Sequence, residues 1–320
     1  MHMTHETHPE NGLRPSALLL IAGGLIGLNF PLGKLAGAAG AGPVVWAAVV
    51  SAGALVAIGP GLARTGRLRW PGRTVALYAL IAGLISFAGV NLLLFAVLPH
   101  VGAAVSGLMF ALSPVATLAL SRLFGLAAPG PAGLVGLLLG LCGAATIALT
   151  RGAAGSGGAL WMLAAAALPL VLAAGNVYRS LAWPVGASPD LLAFWSHAAA
   201  LGAYGLLIVL SGGAGLASLA DIPWLVVVQM IAAGAAFRAY FRLQARGGPV
   251  MLSQIGYVAA AVGLIAGVQV FGEPFGPASW AGAGLVAAGL LFTLIDSARR
   301  APLASRRPAR IARATARSRT

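Results

Sequence analysis

The strongest constraint on what this chain can fold into is that two of its stretches are versions of one another. Residues 102–125 read GAAVSGLMFALSPVATLALSRLFG, and a Pro/Gly turn leads into PAGLVGLLLGLCG, ending at Gly143. Residues 249–272 read PVMLSQIGYVAAAVGLIAGVQVFG, and EPFGPASWAGAGLVAAG follows, ending at Gly289. Ser106 and Ser253, Phe124 and Phe271, and Gly125 and Gly272 are each 147 apart. After the turn the offset slips to 146, pairing Pro131 with Pro277 and Gly143 with Gly289. Asn29 and Asn176 keep the 147 spacing, so the whole first half recurs. A repeat of this kind outranks any single-residue signal in setting the architecture.

Composition identifies the solvent. The chain is 59% hydrophobic and 8% charged, whereas soluble domains carry about 25% charged residues. Apolar runs of roughly 20 residues recur nearly end to end, the length a helix needs to cross the hydrocarbon core. The runs are continuous rather than alternating, which predicts an all-α membrane protein and excludes a barrel of dyad-period strands. The 45 glycines suit helices that pack backbone to backbone in lipid. Cys142 is alone, so there is no intrachain disulfide.

Ten spans are expected. The first runs from Ser16 to about Ala38, and the others at about 43–63, 75–98, 101–123, 131–149, 158–182, 189–211, 222–245, 249–271 and 277–297. Pro and Gly mark the connections, as at Gly42-Pro43, Pro129-Gly130-Pro131, Gly247-Gly248-Pro249 and Gly276-Pro277. The first span lacks a small-residue cleavage site and is followed by many more, so it reads as a retained helix rather than a signal peptide. Residues 1–15 read as a disordered N-terminus, 16–150 and 151–297 as two five-helix repeats, and 298–320 as a basic cytoplasmic tail. An odd number of helices per repeat makes the halves enter the membrane from opposite sides. That is the inverted-topology repeat common among secondary transporters, with the substrate site near mid-membrane.

The net charge of +14 does not point to nucleic acid. Eight of the 20 basic residues follow Asp296, as Arg299, Arg300, Arg306, Arg307, Arg310, Arg313, Arg317 and Arg319, without the interleaved aromatics of a base-stacking groove. Beside a last membrane helix, such a tail fixes topology and touches anionic lipid. Alternate connections put Arg14, Arg64, Arg67, Arg69, Arg73, Arg122, Arg179, Arg246 and the tail on one side. Arg151, Lys34, Asp221 and Glu273 fall on the other. The positive-inside rule places both termini in the cytoplasm, in a multi-pass inner-membrane protein. His2, His5 and His8 are spaced by three, but on a terminal segment this is not read as a metal site. No cofactor is implied.

Three motifs carry a resemblance. They are Gly27-Leu28-Asn29-Phe30-Pro31-Leu32-Gly33-Lys34, then Ser113-Pro114-Val115, and Phe271-Gly272-Glu273-Pro274. In their order and spacing the chain resembles the drug/metabolite transporter superfamily, in its ten-helix EamA-type branch, over about residues 16 to 297. The pattern is most similar to aromatic amino-acid exporters, which implies export of amino acids and related small metabolites. The Gly-Glu element is single, because Leu126 stands where the second copy has Glu273.

Ionisable groups inside a bilayer mark function by default. Asp190, Asp221, Glu273 and Asp296 fall at span ends or in loops, so no carboxylate is expected at mid-membrane. That disfavours proton-coupled export of cationic drugs, the alternative carrier reading. No H-E-x-x-H pair or paired acids are present, so no catalytic residue and no enzyme are expected. Arg238, Arg242 and Arg246 recur every four residues on one helix face, and Arg238 is the deepest. Asn91, its repeat mate, keeps polarity in the first half.

The remaining candidates are uncharged. Asn29 and Phe30 precede Pro31, whose missing N–H frees a carbonyl and bends the helix. Asn176 and Tyr178 mirror the first helix. Gln229, Phe237, Tyr240 and Gln244 fall at helical spacings. Ser253, Gln254 and Tyr257 match the places of Ser106, Gly107 and Phe110. The substrate-binding expectation is therefore Asn29, Phe30, Asn91, Ser106, Phe110, Asn176, Tyr178, Gln229, Arg238, Ser253, Gln254 and Tyr257. For any one serine, helix-to-helix bonding is the competing role. Trp46, Trp161, Trp183, Trp224 and Trp280 are expected at the lipid interface, and a lone His197 in a structural hydrogen bond. Amides, aromatics and a cation suit a neutral or zwitterionic solute carried by alternating access, with a pore-forming channel as the reading of another class. The expected partners are that solute and membrane lipid, with a monomer or weak homodimer as the assembly.

Overall fold

The computed structural model describes residues 14–126, 130–152 and 158–304. The terminal residues His2, His5, His8, Glu6 and Glu10, the turn residue Pro129 and the tail arginines from Arg306 onward lie outside them. Every regular element among the described residues is helical. The helices are α1 Pro15–Gly27, α2 Asn29–Ala38, α3 Pro43–Arg64, α4 Arg73–Ala82, α5 Val90–Ala111 and α6 Ser113–Leu123. They continue as α7 Pro131–Gly152, α8 Gly158–Leu181, α9 Pro189–Leu210, α10 Pro223–Ser253, α11 Ile255–Ile265 and α12 Pro277–Ala304. Proline opens α3, α7, α9, α10 and α12, where its fixed φ suits the helix and its missing N–H is no loss.

Seven described segments are long and apolar enough to cross a membrane: Pro15–Ala38, Pro43–Arg64, Arg73–Leu123, Gly158–Leu181, Pro189–Leu210, Pro223–Arg246 and Met251–Val270. Pro131–Ile147 is a shorter apolar helix. The 51-residue segment Arg73–Leu123 is interrupted at Gly102, which has φ 85° and ψ 170°. The break falls just inside the span expected at 101–123, close to the boundary expected at 99–100. Large apolar side chains such as Leu20, Val56, Leu138, Leu163, Val209 and Ile231 point outward. So broad an apolar exterior fits lipid and not water.

Two interruptions follow from proline chemistry. Leu28 separates α1 from α2, and Leu112 separates α5 from α6. Pro31 cannot donate to the carbonyl of Gly27, nor Pro114 to that of Phe110. The bend expected at Pro31 is thus seated just ahead of the proline, and Pro114 is preceded by a break of the same kind. The freed Phe110 carbonyl faces α11 at Gly256, where a Cβ would collide with it. Two further segments, Gly83–Gly89 and Ala266–Val270, are wound as π-helix, a winding that re-aims side chains and recurs at functional sites.

The packing pairs the halves. α12 lies along α7, α10 along α3, α11 along α5 and α9 along α3. α1 packs on α10 and α11, while α8 packs on α5 and α6. The tryptophans divide. Trp224 and Trp280 stand exposed at the starts of α10 and α12, where interfacial anchors belong. Trp46 is only 1% exposed, so its indole packs inside the bundle and is not an anchor.

Candidate functional site

At one end of the bundle the side chain of Glu273 reaches across to the first half of the chain. This carboxylate is buried and accepts from the backbone N–H of Ala103 at 2.7 Å and of Ala104 at 2.9 Å. Lys34 Nζ donates to it at 2.5 Å and lies 4.6 Å from the centre of the Phe271 ring. Gly102 makes the arrangement possible, because its left-handed backbone restarts the helix and a Cβ there would lie 2.6 Å from Glu273 Oε2. A carboxylate on the first N–H groups of a helix meets unsatisfied donors and the positive end of the helix dipole. The sequence put Glu273 and Lys34 near span ends, and the structure joins them into one ionic clasp. A cavity of about 300 Å³ beside it is lined by Lys34, His100, Gly102, Met162, Glu273 and Pro274, among others. His100 stacks on Trp161 at 3.8 Å.

Further in, Gln229 Nε2 donates to Asn29 Oδ1 at 2.8 Å, which ties the first-half break to α10. The Oε1 of Gln229 is buried without a hydrogen-bond partner. Phe30 meets Phe110 edge-on at 5.2 Å. Asn91 is buried with its Nδ2 unpartnered. Nearby, Tyr204 Oη donates to the Phe87 carbonyl at 2.9 Å. His197 bonds Ser51 at 3.1 Å and stacks on Phe87 at 4.1 Å, the structural role expected of it.

The densest polar cluster surrounds Arg179, whose side chain is fully buried on α8. Its Nε donates to Gln244 Oε1 at 2.8 Å. Its Nη2 donates to Asn176 Oδ1 at 2.8 Å and to the Tyr240 hydroxyl. Asn176 Nδ2 donates to Thr117 Oγ1 at 3.2 Å, and Gln244 Nε2 to Ser180 Oγ at 3.3 Å. The guanidinium also faces the rings of Tyr240 and Phe87, at 5.1 and 5.6 Å. Every one of these partners is neutral, and among the described residues no carboxylate pairs with Arg179. Arginine cannot shed its charge by deprotonation, so the bundle holds a permanent cation whose burial costs several kcal/mol.

Arg238 follows a separate course. Its Nη2 donates to the Ala57 carbonyl, while Arg242 pairs with Asp190 at 3.1 Å. Arg67, Asp190, Arg238 and Arg242 line a cavity of about 320 Å³. Arg238 therefore turns toward α3 and does not join Arg179. A larger groove of about 660 Å³, lined by Leu112, Leu120, Leu141, Leu170 and other apolar residues, offers nothing to orient a polar solute.

Of the twelve candidates, the structure brings Asn29 with Gln229 and Phe30 with Phe110, and sets Asn176 in the Arg179 cluster. Ser106 donates to the Gly102 carbonyl at 2.7 Å, within its own helix. Tyr178 stacks on Tyr78 at 5.9 Å. Ser253 is buried at the end of α10, Gln254 sits in the break before α11, and Tyr257 is half-buried on α11. Arg179 was not among the candidates. It stands two residues from the end of α8 and reads in sequence as one more loop cation. The available signal was its spacing from Asn176, since residues three apart share a helix face.

Residues 14–149 match the EamA-like transporter family model. None of the curated proteins matches the chain. One solved crystal structure of a protein is 24% identical, with a TM-score of 0.60, covering 88% of this chain and 99% of that one. At that identity the likeness bears on the fold alone.

Proposed function

We propose that the chain belongs to the EamA-like transporter family throughout its length and works as a secondary transporter of small metabolites, amino acids in particular. Ten spans make up the bundle on this reading. They comprise six of the seven long segments, two more from dividing Arg73–Leu123 at Gly102, and the helices α7 and α12. The family match ends at residue 149, next to the end of the first repeat. Packing supports an inverted pair. The contact of α1 with α10 and α11 mirrors that of α8 with α5 and α6, while the α7–α12 and α5–α11 contacts join repeat mates. With the arginine bias, both termini lie in the cytoplasm of an inner-membrane protein, and the Lys34–Glu273 clasp faces out.

The observation that carries the reading is the polar seam along the contact of the halves, with Asn29 on Gln229 and Asn176 on Thr117, and with Arg179 bonded to that same Asn176. Buried polar side chains in a lipid-facing bundle are costly and mark a solute path. On this reading the clasp is the gate at one end of the bundle, as alternating access requires a gate there. Purified protein in liposomes, given labelled amino acids with and without a pH gradient, is expected to show saturable, counterflow-stimulated flux. A linear flux with no counterflow would mean a pore and end the carrier reading. Saturable flux of organic cations alone would move the assignment to a multidrug exporter.

Arg238 is assigned to the cytoplasmic mouth. Arg238→Met is expected to lower the uptake rate of carboxylate solutes about 3-fold to 10-fold at low ionic strength and less in salt, as screening of a mouth charge dictates. An effect independent of salt would place Arg238 in direct contact with the solute instead.

A further inference from the structure

The Arg179 cluster has a surplus of donors. The guanidinium offers five N–H groups, and its Nη1 is buried without a hydrogen-bond partner. Two hydroxyls nearby, Ser86 Oγ and Tyr78 Oη, are likewise buried and unpartnered. Ser86 lies on the π-wound segment Gly83–Gly89, and Gly175 of α8 is what brings it close. A Cβ at Gly175 would strike Ser86 Oγ and come within 3.2 Å of Arg179 Nη1. The unused N–H group and the unused hydroxyl thus stand close together against Gly175, where the absence of a side chain lets them approach. Tyr78 lies within electrostatic range of Arg179. Phe87 and Tyr240 supply aromatic walls against the guanidinium.

An unmet N–H of a permanent cation and two unmet hydroxyls near it, with no described carboxylate in reach, fit an anion that arrives from outside the protein. A planar guanidinium is matched best by a planar oxyanion. Access is near, because a cavity of about 230 Å³ is lined by Ser180, Trp183, Gln244 and Ala245. Gln244 is the residue that bonds both Arg179 and Ser180. We infer that Arg179, Ser86 and Tyr78 form a subsite for the carboxylate of the transported solute, with its organic body against Phe87 and Tyr240. The inference rests on the transporter reading and adds to it the group by which the solute is recognised. No acid stands in the cluster to receive an ammonium, so the amino group of an amino acid is not what this subsite reads.

The test is equilibrium binding to the detergent-purified full chain, beside counterflow in liposomes. The probes are L-phenylalanine, 3-phenylpropionate, which lacks the amino group, and phenylalaninamide, which lacks the carboxylate. Both carboxylates are expected to bind the wild type better than the amide. Arg179→Gln is expected to weaken them by roughly 10-fold to 100-fold, the range for loss of charge-assisted hydrogen bonds, and to leave the amide unchanged. Ser86→Ala removes one small hydroxyl and serves if Arg179→Gln does not fold. It is expected to weaken the carboxylates several-fold while keeping the thermal midpoint. A purely structural Arg179 would lower the midpoint and leave carboxylate over amide preference intact, which overturns the subsite. Equal binding of acid and amide by the wild type, or no binding of either, overturns it too. Saturable counterflow blind to the carboxylate would spare the transporter reading. Binding dependent on Arg179 or Ser86 without counterflow would spare the subsite and remove the transporter.

Discussion

Glu273→Gln is expected to open the clasped end of the bundle. The substitution keeps size and shape but changes what each oxygen position does. An amide oxygen at the Oε1 place still accepts from Ala103, whereas the amide nitrogen at the Oε2 place meets the Ala104 N–H donor to donor. Lys34 loses its counter-charge at the same time. Removing one partner of a fully buried ion pair costs about 3–5 kcal/mol, largely because the other is left uncompensated. With the Lys34 side chain 31% exposed, the cost here belongs at or below the low end of that range. About 3 kcal/mol placed on the closed form alone shifts a two-state population by roughly 100-fold. Lys34→Met should shift it less, since Glu273 keeps both backbone donors. The measurement is labelling by a membrane-impermeant maleimide of a cysteine at Met162, which lines the adjoining cavity, with Cys142 replaced by serine. The labelling rate should rise by an order of magnitude or more in Glu273→Gln. An unchanged rate in a folded variant would mean that the clasp fixes a helix end and does not gate.

How far such a clasp can be read in sequence depends on where its parts lie. The break at Gly102 and the stop at Phe271-Gly272 are visible, because glycine and proline impose their backbone geometry locally. The meeting of Lys34 with Glu273 is not visible, since 239 positions separate them and only the closure of two halves brings them together. The all-helical, membrane-spanning character was legible for a similar reason: its evidence is the length and apolarity of each local run. The candidate site was legible in part. Asn29 and Asn176 stood out by their spacing of 147, and both are buried in hydrogen bonds. Arg179 escaped because charge near a helix end normally turns to water, whereas acceptors on α10, with Asn176 of its own helix, hold it inward. The unmet hydroxyl of Ser86 depends on the π-winding at Gly83–Gly89, which no residue pattern in that stretch announces. Trp46 failed in the opposite direction, as an indole near a helix start that packs inward.

Gly263→Leu is expected to abolish the folded protein, while Gly284→Leu leaves it nearly untouched. Both replace a helical glycine by the same apolar side chain, and in lipid neither gains or loses much by hydrophobic transfer. Space is what separates them. A Cβ at Gly284 meets nothing within 4 Å, whereas one at Gly263 meets Phe30 Cδ2 at 2.9 Å, the Ala103 carbonyl at 3.0 Å and Gly107 Cα at 3.1 Å. Two of those three are backbone atoms of α5, so the α5–α11 crossing must widen to admit the side chain. Overpacking of this kind costs about 1–3 kcal/mol when neighbours can shift and more when they cannot. Gly263→Ala gives the graded case, in which only the Cβ is added and the thermal midpoint should fall by several degrees. Phe30→Leu in that background should recover part of the loss by removing the aromatic carbon and leaving the backbone contacts. Because α5 and α11 join repeat mates on the proposed architecture, Gly263→Ala should also lose counterflow before it loses monodispersity. Equal midpoints for Gly263→Leu and Gly284→Leu would show that this crossing is not close-packed, and the tight seam between the halves would have to be abandoned.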